Sequence, residues 1–361
     1  MHSKSILFIT PYPPGEAPSQ RFRFEQYLKL LKNKGFSIDF QPFLTEGGWF
    51  TLYKDGKFIL KLYHLTKGFV TRFLTLFKIY KYDFIFIHRE ASPAGPPVFE
   101  WFISKILNKK IIYDFDDAIW LEDPDEVGSI KSKIKWKGKV KRICQWSWKV
   151  SAGNQFLAGF AAIYCKNVVV IPTTIDTIHQ HTPSSKDSST SKKLVIGWTG
   201  THSTLQYLKP LVPVIQQLEK EYDFEFLVIS NKKPNFKLKS LRFTPWNKQS
   251  EIADLQKIDI GIMPLTDDLW SQGKCGFKAL QYMALEIPAL ASPVGVNNQI
   301  IDNAINGYLC KTDIDWLKYL RELLHDSVKR QRMGEQARVK IERNYSVSAV
   351  SSEFLSLFKV E

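Results

Sequence analysis

The sequence predicts an α/β protein of two domains, each built on a doubly wound parallel sheet. Its 361 residues exceed the size at which a single hydrophobic core usually keeps growing. Strand-like and helix-like segments alternate through the first half, and the alternation restarts after the polar stretch His181–Lys192. Because such alternation gives parallel sheets, we expect domain 1 over residues 1–180 and domain 2 over residues 181–344.

Short apolar segments predict five strands in the first half. They are rich in β-branched and aromatic residues, as is typical of strands buried in a parallel sheet. The segments are Ile6–Thr10, Ser37–Phe40, Asp83–His88, Lys110–Phe115 and Val168–Pro172. The spacing of apolar residues predicts helices over 21–32 and 130–150.

The second half repeats this organisation. Its predicted strands are Leu194–Thr199, Phe224–Ser230, Ile258–Met263 and Ala289–Ser292. Its predicted helices are Thr204–Tyr222, Glu251–Lys257, Lys274–Leu285, 313–332 and 346–358. Asn306-Gly307 predicts a turn. Ligands bind outside the carboxyl ends of such strands, and two facing domains would place the site in the cleft between them.

The composition and the charge narrow the class of protein. Hydrophobic residues make up 44% of the chain, and its four cysteines form no C-x-x-C or Cys/His cluster. This pattern argues against structural zinc and a disulfide scaffold and favours a reducing cytosol. The N-terminal apolar run is too short for a signal peptide, and no uncharged run is long enough to span a membrane. We therefore expect a cytoplasmic protein.

Positive charge is concentrated in the first half. The net charge is +14, and residues 1–176 hold 26 Lys and Arg against 16 Asp and Glu. Segment 131–148 combines lysines with tryptophans, which favours contact with the inner face of an anionic membrane. Segment Phe50–Tyr82 is also rich in aromatic residues and lysines. The alternative for 131–148 is a solvated helix with its tryptophans in the core. No nucleic-acid-binding motif is present, so we expect no nucleic acid partner.

In each domain, one segment lies at the carboxyl end of the first predicted strand. Ligands of such sheets bind at this end. In Pro11–Arg23, Gly15 would permit close backbone approach. Arg21 and Arg23 in the same loop can bind phosphate or carboxylate. The alternative is a proline-rich loop with solvated arginines. The corresponding segment of domain 2, Ile196–Thr204, has backbone N–H groups that could bind a phosphate.

The segment Gly273–Gly295 is the most informative one in the chain. It predicts a glycine turn, a helix, a short strand and a second glycine turn. Lys274 lies just before the helix and Lys278 lies in its first turn. Since N–H groups without helical partners and the positive end of the helix dipole both favour an anion there, the segment predicts a diphosphate site.

Acidic residues and a histidine end two predicted strands of domain 1. Asp114, Asp116 and Asp117 could act as a base, bind sugar hydroxyls or hold a metal. They could equally cap the next helix and pair with a basic side chain. His88 is a candidate general acid or base, although a histidine at a strand end is more often structural.

Together these segments resemble the retaining GT-B glycosyltransferases of family 4, within the glycosyl transferases group 1. The resemblance is carried by Pro11–Arg23, Val170–Asp176, Ile196–Thr204, Gly273–Gly295 and Asn306–Leu309. It implies the GT-B fold, in which two Rossmann-like domains face a cleft, with the donor on the second domain and the acceptor on the first. It also implies that the final segment 345–361 packs back on domain 1.

The resemblance further implies the site residues. The implied donor-binding residues are Gly15, Gly200, Thr201, Lys274, Gly276, Phe277, Lys278 and Gln281. Arg21 and Arg23 would lie on the acceptor side. The family's two glutamates correspond here to Gly273 and Gln281. Gln281 can still accept a ribose hydroxyl through its carbonyl oxygen, whereas Gly273 cannot replace a side chain near the transferred sugar.

The expected reaction is transfer of a sugar from a nucleotide-diphosphate sugar to a hydroxyl of a glycan or lipid-linked acceptor. Its expected setting is the synthesis of cell-surface polysaccharide or glycolipid. Lys274 and Lys278 would stabilise the leaving diphosphate, so that no metal or other cofactor is required. His88, Asp116 or Asp117 would orient or deprotonate the acceptor. Two alternatives stay open: a nucleotide-sugar 2-epimerase of the same fold, and a non-catalytic nucleotide-sugar-binding protein.

Overall fold

The computed structural model describes residues 4–52, 54, 56–122, 134–184 and 193–359. The chain divides into two compact units. The N-terminal unit comprises Met1–Thr173 and Val350–Glu361, and the C-terminal unit comprises Thr174–Ala349. The division falls after Thr173, a few residues before the boundary expected at 180. Most of the polar stretch around this boundary, residues 185–192, lies outside the described residues.

A six-stranded parallel sheet forms the centre of the N-terminal unit. Its strands are β1 (Ser5–Thr10), β2 (Ser37–Pro42), β3 (Phe84–His88), β4 (Lys110–Phe115), β5 (Lys149–Ala152) and β6 (Val168–Val170). They lie side by side in the order β2-β1-β3-β4-β5-β6. In this register Ile9 pairs with Ile87 and His88 pairs with Asp114, so the carboxyl ends of three central strands are neighbours.

The predicted helix over 130–150 is wrong at its end, where the structure has strand β5. Among the described residues of this range, helical structure covers Ile134, Lys135 and Lys139–Trp146, and Lys149–Ala152 then enters the sheet. Residues 131–133 of the basic segment lie outside the described residues. The four residues of β5 are too few to show an alternating pattern, and pairing with β4 and β6 on both sides selects their conformation.

Helices flank this sheet. The helical segments of the unit are Pro18–Arg21, Leu28–Asn33, Glu46–Leu52, Phe58–Leu76, Val98–Trp101, Lys139–Trp146, Gln155–Ala162 and Ser351–Ser356, with 3₁₀ turns at Glu25–Tyr27 and Ile79–Lys81 and a π-helical turn at Phe102–Ile106. In place of the single helix predicted over 21–32, the structure has two short α-helices separated by a 3₁₀ turn. The last helix packs on the unit through Phe354, whose ring stacks on Tyr27 with centroids 4.1 Å apart.

A second six-stranded parallel sheet forms the centre of the C-terminal unit. Its strands are β7 (Leu194–Gly200), β8 (Phe224–Ser230), β9 (Leu241–Pro245), β10 (Ile260–Met263), β11 (Ala289–Ala291) and β12 (Gly307–Leu309). They run in the order β12-β11-β10-β7-β8-β9. Two parallel sheets with flanking helices confirm the predicted fold class.

The edge strands β9 and β12 were not predicted. The expected turn at Asn306-Gly307 lies slightly earlier, because Gly307 already opens β12. The Asn306 side chain accepts a hydrogen bond from the Asp302 N–H at 2.9 Å and donates one to the Asp302 carboxylate at 3.1 Å. Ala304, with a φ of +65°, reverses the chain between them.

The helices of the C-terminal unit differ from the prediction mainly at their ends. They are Val212–Leu218, Glu251–Leu255, Leu269–Gln272, Phe277–Ala284, Asn297–Ile300, Asp313–His325 and Ser327–Asn344, with a 3₁₀ segment at His202–Leu211. The helix predicted over 313–332 is divided at Asp326, and the second part continues to Asn344. Asp326 ends one helix and caps the next, since its carboxylate accepts the Lys329 N–H at 2.8 Å.

Two glycines fix the position of the helix Phe277–Ala284. A Cβ on Gly261 in β10 would lie 2.3 Å from the Tyr282 ring, so only glycine lets the helix approach the sheet this closely. A Cβ on Gly334 would lie 2.0 Å from the Glu286 carbonyl oxygen, so the long helix Ser327–Asn344 also packs tightly behind it. Within the described residues, no helix has both the length and the apolar character needed to cross a membrane.

Candidate functional site

The carboxyl end of β7 and the helix Phe277–Ala284 meet around the indole of Trp198. The Lys278 Nζ lies 5.5 Å from the centroid of this indole. A Cβ on Gly200 would come within 2.5 Å of the same ring. The Thr199 N–H donates to the Tyr282 Oη at 2.9 Å, which ties the strand end to the helix. Gly200 and Lys278, predicted from separate motifs, therefore lie against one indole.

The glycine turn before this helix requires glycine at Gly276. Its φ of +69° lies in the left-handed region, and an added Cβ would lie 2.1 Å from the Ile300 Cδ1. Lys274, two residues earlier, places its Nζ 4.9 Å from the centroid of the Trp270 ring. Both predicted lysines are partly exposed, and the ammonium group of each lies over an indole face in a cation–π arrangement.

A second glycine turn lies beside the first one. Gly295 has a φ of +54°, and a Cβ there would lie 3.0 Å from the Gln272 carbonyl oxygen. The Asn297 amide donates to the Ser292 carbonyl oxygen at 3.0 Å. Among the described residues, the buried Asn297 Oδ1 has no hydrogen-bond partner. It would lie 3.6 Å from a Cβ on Gly276, so this amide borders the predicted diphosphate turn.

Gln281, expected to bind ribose, lies inside the C-terminal unit. Its side chain is buried, and within the described part of the chain its Nε2 has no hydrogen-bond partner. Phe277 is the first residue of the helix and is partly exposed, whereas Thr201 lies exposed just beyond β7. The Thr201 hydroxyl lies 2.9 Å from the Ser203 hydroxyl in the loop that follows.

In the N-terminal unit, the loop after β1 is fastened by its own side chains. Gly15 has a φ of +81°, and its N–H donates to the Glu25 carboxylate at 2.7 Å. Burial raises the pKa of Glu25. The Gln20 side chain accepts the Tyr12 N–H and donates to the Tyr12 carbonyl oxygen, both at 3.0 Å. The loop is therefore preorganised, and the Gly15 N–H is engaged within it.

Arg23 and His88 belong to a buried charge cluster centred on Asp114. Arg23, expected on the acceptor side, donates to the Asp114 Oδ1 at 2.5 Å and also to the Ile171 carbonyl oxygen. The His88 Nδ1 lies 2.8 Å from the other carboxylate oxygen, and the Ser151 hydroxyl donates to the first at 2.6 Å. Burial disfavours the charged carboxylate, but Arg23 and His88 outweigh burial and hold the pKa of Asp114 well below its ordinary value.

The other two predicted carboxylates share one partner, Arg89. Its guanidinium donates to Asp116 at 2.7 and 2.9 Å and to Asp117 at 2.7 Å. Burial disfavours the charged guanidinium, but the two carboxylates outweigh it and raise its pKa. Asp116 and Asp117 stay partly exposed, whereas His88 is fully buried. Arg21, the other predicted acceptor-side arginine, has its guanidinium 5.0 Å from the Phe22 ring centroid.

Several residues of these sites were not singled out from the sequence. In the C-terminal unit they are Trp198, Trp270, Tyr282 and Asn297, and in the N-terminal unit they are Arg89 and Ser151. Arg89 could have been found, because it directly follows His88 and precedes the acidic cluster in the adjacent strand. The described residues bring together no group of three His, Cys, Asp or Glu side chains that could hold a metal ion.

Comparison with known proteins finds a family match within the C-terminal unit. Residues 206–340 match the family model for glycosyl transferases group 1. This match makes the segment similar to that family. The group 1 segment contains the glycine turn at Gly276, both lysines and the helix Phe277–Ala284. No curated protein matches the chain.

Solved structures with the same fold cover nearly the whole chain. Sucrose-phosphate synthase from Thermosynechococcus elongatus is 13% identical, with a TM-score of 0.72 over 99% of this chain and 98% of its own. A glycosyltransferase from Rickettsia africae is 16% identical, with a TM-score of 0.68 over 99% and 98%. Anabaena HepE in complex with UDP is 11% identical, with a TM-score of 0.62 over 98% of both chains. These likenesses confirm the GT-B fold.

Proposed function

We propose that the chain transfers a sugar from a nucleotide-diphosphate sugar to a hydroxyl of a glycan or lipid-linked acceptor, with retention at the anomeric carbon. The observation that carries the proposal is the turn at Gly276 inside the group 1 segment. There a left-handed glycine opens a helix, with Lys274 and Lys278 on either side of it in sequence. Anabaena HepE, which has the same fold, has been solved with UDP and with UDP-glucose.

The chemistry of the leaving group explains why lysines belong at this turn. As the bond between the anomeric carbon and the diphosphate breaks, its electron pair goes to a phosphate oxygen. Lys274, Lys278 and the start of the helix would stabilise the charge that develops there. Preorganised electrostatic stabilisation of this kind contributes on the order of 3–4 kcal/mol per donor group. We therefore propose that the reaction needs no metal ion.

The acceptor oxygen forms the new bond to the anomeric carbon and loses its proton to a base. For this role we propose Asp116 or Asp117, which are partly exposed and held in place by Arg89. His88 is fully buried against Asp114, and we propose that it positions this carboxylate instead of touching the acceptor. The biological setting that we propose is the synthesis of cell-surface polysaccharide or glycolipid.

The first test is a thermal-shift screen of nucleoside diphosphates and their sugars, beginning with UDP and UDP-glucose. A ligand present at 100 times its dissociation constant adds about 2.7 kcal/mol to stability, which is readily measured. Candidate acceptors are then added with the best donor, and release of nucleoside diphosphate is followed. Release that depends on acceptor supports transfer. Turnover of donor without acceptor would indicate an epimerase, and binding without turnover would indicate a binding protein.

Lys278→Ala is the decisive variant. We expect at least a tenfold loss of turnover with an unchanged fold, because the residue is partly exposed and its ammonium group lies over the Trp198 face. Lys318→Ala is the matched control, since Lys318 also lies over an aromatic ring of this unit, 5.1 Å from the Tyr319 centroid. A folded Lys278→Ala variant with full turnover would refute the assignment.

A further inference from the structure

The helix Phe58–Leu76 turns its apolar side outward. Large apolar side chains at helical spacing are exposed along one face of this helix and the residue after it, with Ile59 exposed at 83% and Phe73 at 55%. The members of this outward face are Ile59, Leu62, Tyr63, Val70, Phe73, Leu74 and Phe77. In a helix of a globular protein the apolar face normally packs on the core. Because the apolar face of this helix points away from the core, we expect it to contact an apolar environment outside the protein.

The inward side of the same helix is fixed by polar and close contacts. Arg72 is buried and donates to the carbonyl oxygens of Thr10, Gln41 and Ala91 at 3.1, 2.8 and 2.8 Å. A Cβ on Gly68 would lie 2.6 Å from the Phe43 ring, so the helix lies close to the residues after β2. Since the helix cannot rotate without breaking these contacts, its apolar face stays outward.

The stretch of sequence that carries the outward face contains basic residues and no acidic ones. Residues 56–82 contain no Asp or Glu. The exposed lysines of this stretch are Lys57, Lys67, Lys78 and Lys81. Apolar residues next to lysines, without acidic residues, are typical of helices that lie in the interface of an anionic bilayer.

An aromatic groove lies next to this helix. The short helix Val98–Trp101 contacts it through Phe99, whose ring centroid is 6.2 Å from that of Phe69. Trp101, Trp136 and Trp146 line the groove together with Arg142. Tryptophan and arginine are suited to the headgroup level of a membrane, where apolar and polar groups meet. Trp136 and Trp146 come from the basic segment that suggested a membrane contact.

We propose that the outward face of the helix Phe58–Leu76 binds an anionic lipid bilayer, with the helix lying in the plane of the interface. A second copy of this chain would bring the same lysines together, and their repulsion disfavours such a dimer. An anionic lipid surface instead complements them. The inference rests on this surface of the N-terminal unit and does not depend on the transfer reaction.

Flotation with lipid vesicles tests the proposal on the full-length protein. Vesicles of phosphatidylcholine alone are compared with vesicles that also contain phosphatidylglycerol. We expect the protein to float mainly with the anionic vesicles, and less so at high salt because salt screens the lysines. A double variant, Leu62→Glu with Phe73→Glu, should bind at least tenfold more weakly.

The matched control is the double variant Ile314→Glu with Val328→Glu. Ile314 and Val328 are exposed at 77% and 75% on helices of the C-terminal unit, and this variant should bind vesicles as the unmodified protein does. Circular dichroism and melting temperature should be unchanged in both variants, since all four side chains are exposed. Equal vesicle binding by the two variants would overturn the proposal. So would a dimer in solution that only Leu62→Glu with Phe73→Glu dissociates.

Discussion

At the scale of single residues, Asp114 organises the centre of the N-terminal unit. Its carboxylate contacts Arg23, His88 and Ser151, which come from the loop after β1, from β3 and from β5. A buried carboxylate without such partners would be strongly disfavoured. Together these contacts stabilise the charged form at the carboxyl ends of neighbouring strands.

Replacing this carboxylate tests its role in stability. Asp114→Asn should lower the free energy of unfolding at pH 7 by about 3–5 kcal/mol, because it leaves Arg23 buried without its counter-charge. The pKa of Asp114 is lowered in the folded protein. Its contribution is therefore complete above the ordinary aspartate pKa of about 3.9 and is lost as the pH falls toward the folded value. Urea unfolding measured between pH 7 and pH 3 checks both points.

The control for this variant is Asp223→Asn. Asp223 pairs with Lys193 on the surface at 2.6 Å, with its side chain 75% exposed, and such pairs contribute little. We expect Asp223→Asn to change the unfolding free energy by less than about 1 kcal/mol. A comparable loss in the two variants, or a loss in Asp114→Asn that does not shrink at low pH, would contradict the buried-cluster interpretation.

Residue chemistry alone predicts candidate side chains but not their partners. The lysines at 274 and 278 were identified from their place beside a helix start, and the structure confirms that they lie there. Arg23 and His88 were chosen because their side chains can bind anions or transfer protons, yet both are engaged with Asp114. Partners distant in sequence become neighbours only through strand order, which no local pattern contains.

At the scale of elements, the helix Phe277–Ala284 is short and depends on its surroundings. An isolated helix of this length is unstable in water. Here six of its eight residues are buried. The hydrogen bond from the Thr199 N–H to the Tyr282 Oη joins it to β7. The element that would bind the diphosphate is therefore positioned by packing and not by helix propensity.

One substitution removes this hydrogen bond between the helix and β7. Tyr282→Phe should lower the free energy of unfolding by about 1–3 kcal/mol, because the buried Thr199 N–H loses its acceptor. It should also weaken nucleotide binding, since the Gly200 turn is then less firmly held. Tyr207→Phe serves as the control, because the hydrogen bond that the Tyr207 Oη accepts from the Ser271 hydroxyl is long, at 3.4 Å. Equal effects of the two variants in urea unfolding and nucleotide titration would show that the hydrogen bond from the Thr199 N–H to the Tyr282 Oη does not position the helix.

Elements were predicted well where their patterns were long or strongly apolar. Lys110–Phe115 and Phe224–Ser230 have the predicted bounds. Strands β5, β9 and β12 were missed, since segments of three to five residues carry too little periodicity. The predicted helix 204–222 begins as a 3₁₀ segment containing Pro210. Proline lacks the N–H that an α-helix needs, so this difference has a local cause.

At the scale of the whole molecule, the last residues of the chain complete the N-terminal unit. Val350–Glu361 belongs to this unit although the preceding residues belong to the other. Phe354 and Phe358 pack among its aromatic side chains, with Phe354 stacked on Tyr27 and Phe358 6.4 Å from the Phe86 ring centroid. Lys149 also donates to the Ser356 carbonyl oxygen at 2.8 Å.

Removing one of these rings should affect one unit. Phe354→Ala should destabilise the N-terminal unit by about 3–5 kcal/mol, because a buried aromatic ring is lost. Hydrogen exchange followed by mass spectrometry should show faster exchange in β1 and β3 and unchanged exchange in β7 and β10. Leu355→Ala, at a partly exposed position of the same helix, should have a smaller effect. Faster exchange confined to the C-terminal unit would contradict this assignment.

The sequence by itself determined the two α/β units, the glycine turn at Gly276 and the lysines beside it. These features are local, because hydrophobic periodicity and glycine backbone freedom act over a few residues. Tertiary structure alone decided that Arg23 and His88 meet Asp114, that Trp198 contacts Lys278, and that the helix Phe58–Leu76 faces outward. Burial and pairing depend on residues far apart in the chain, and only the packed fold brings them together.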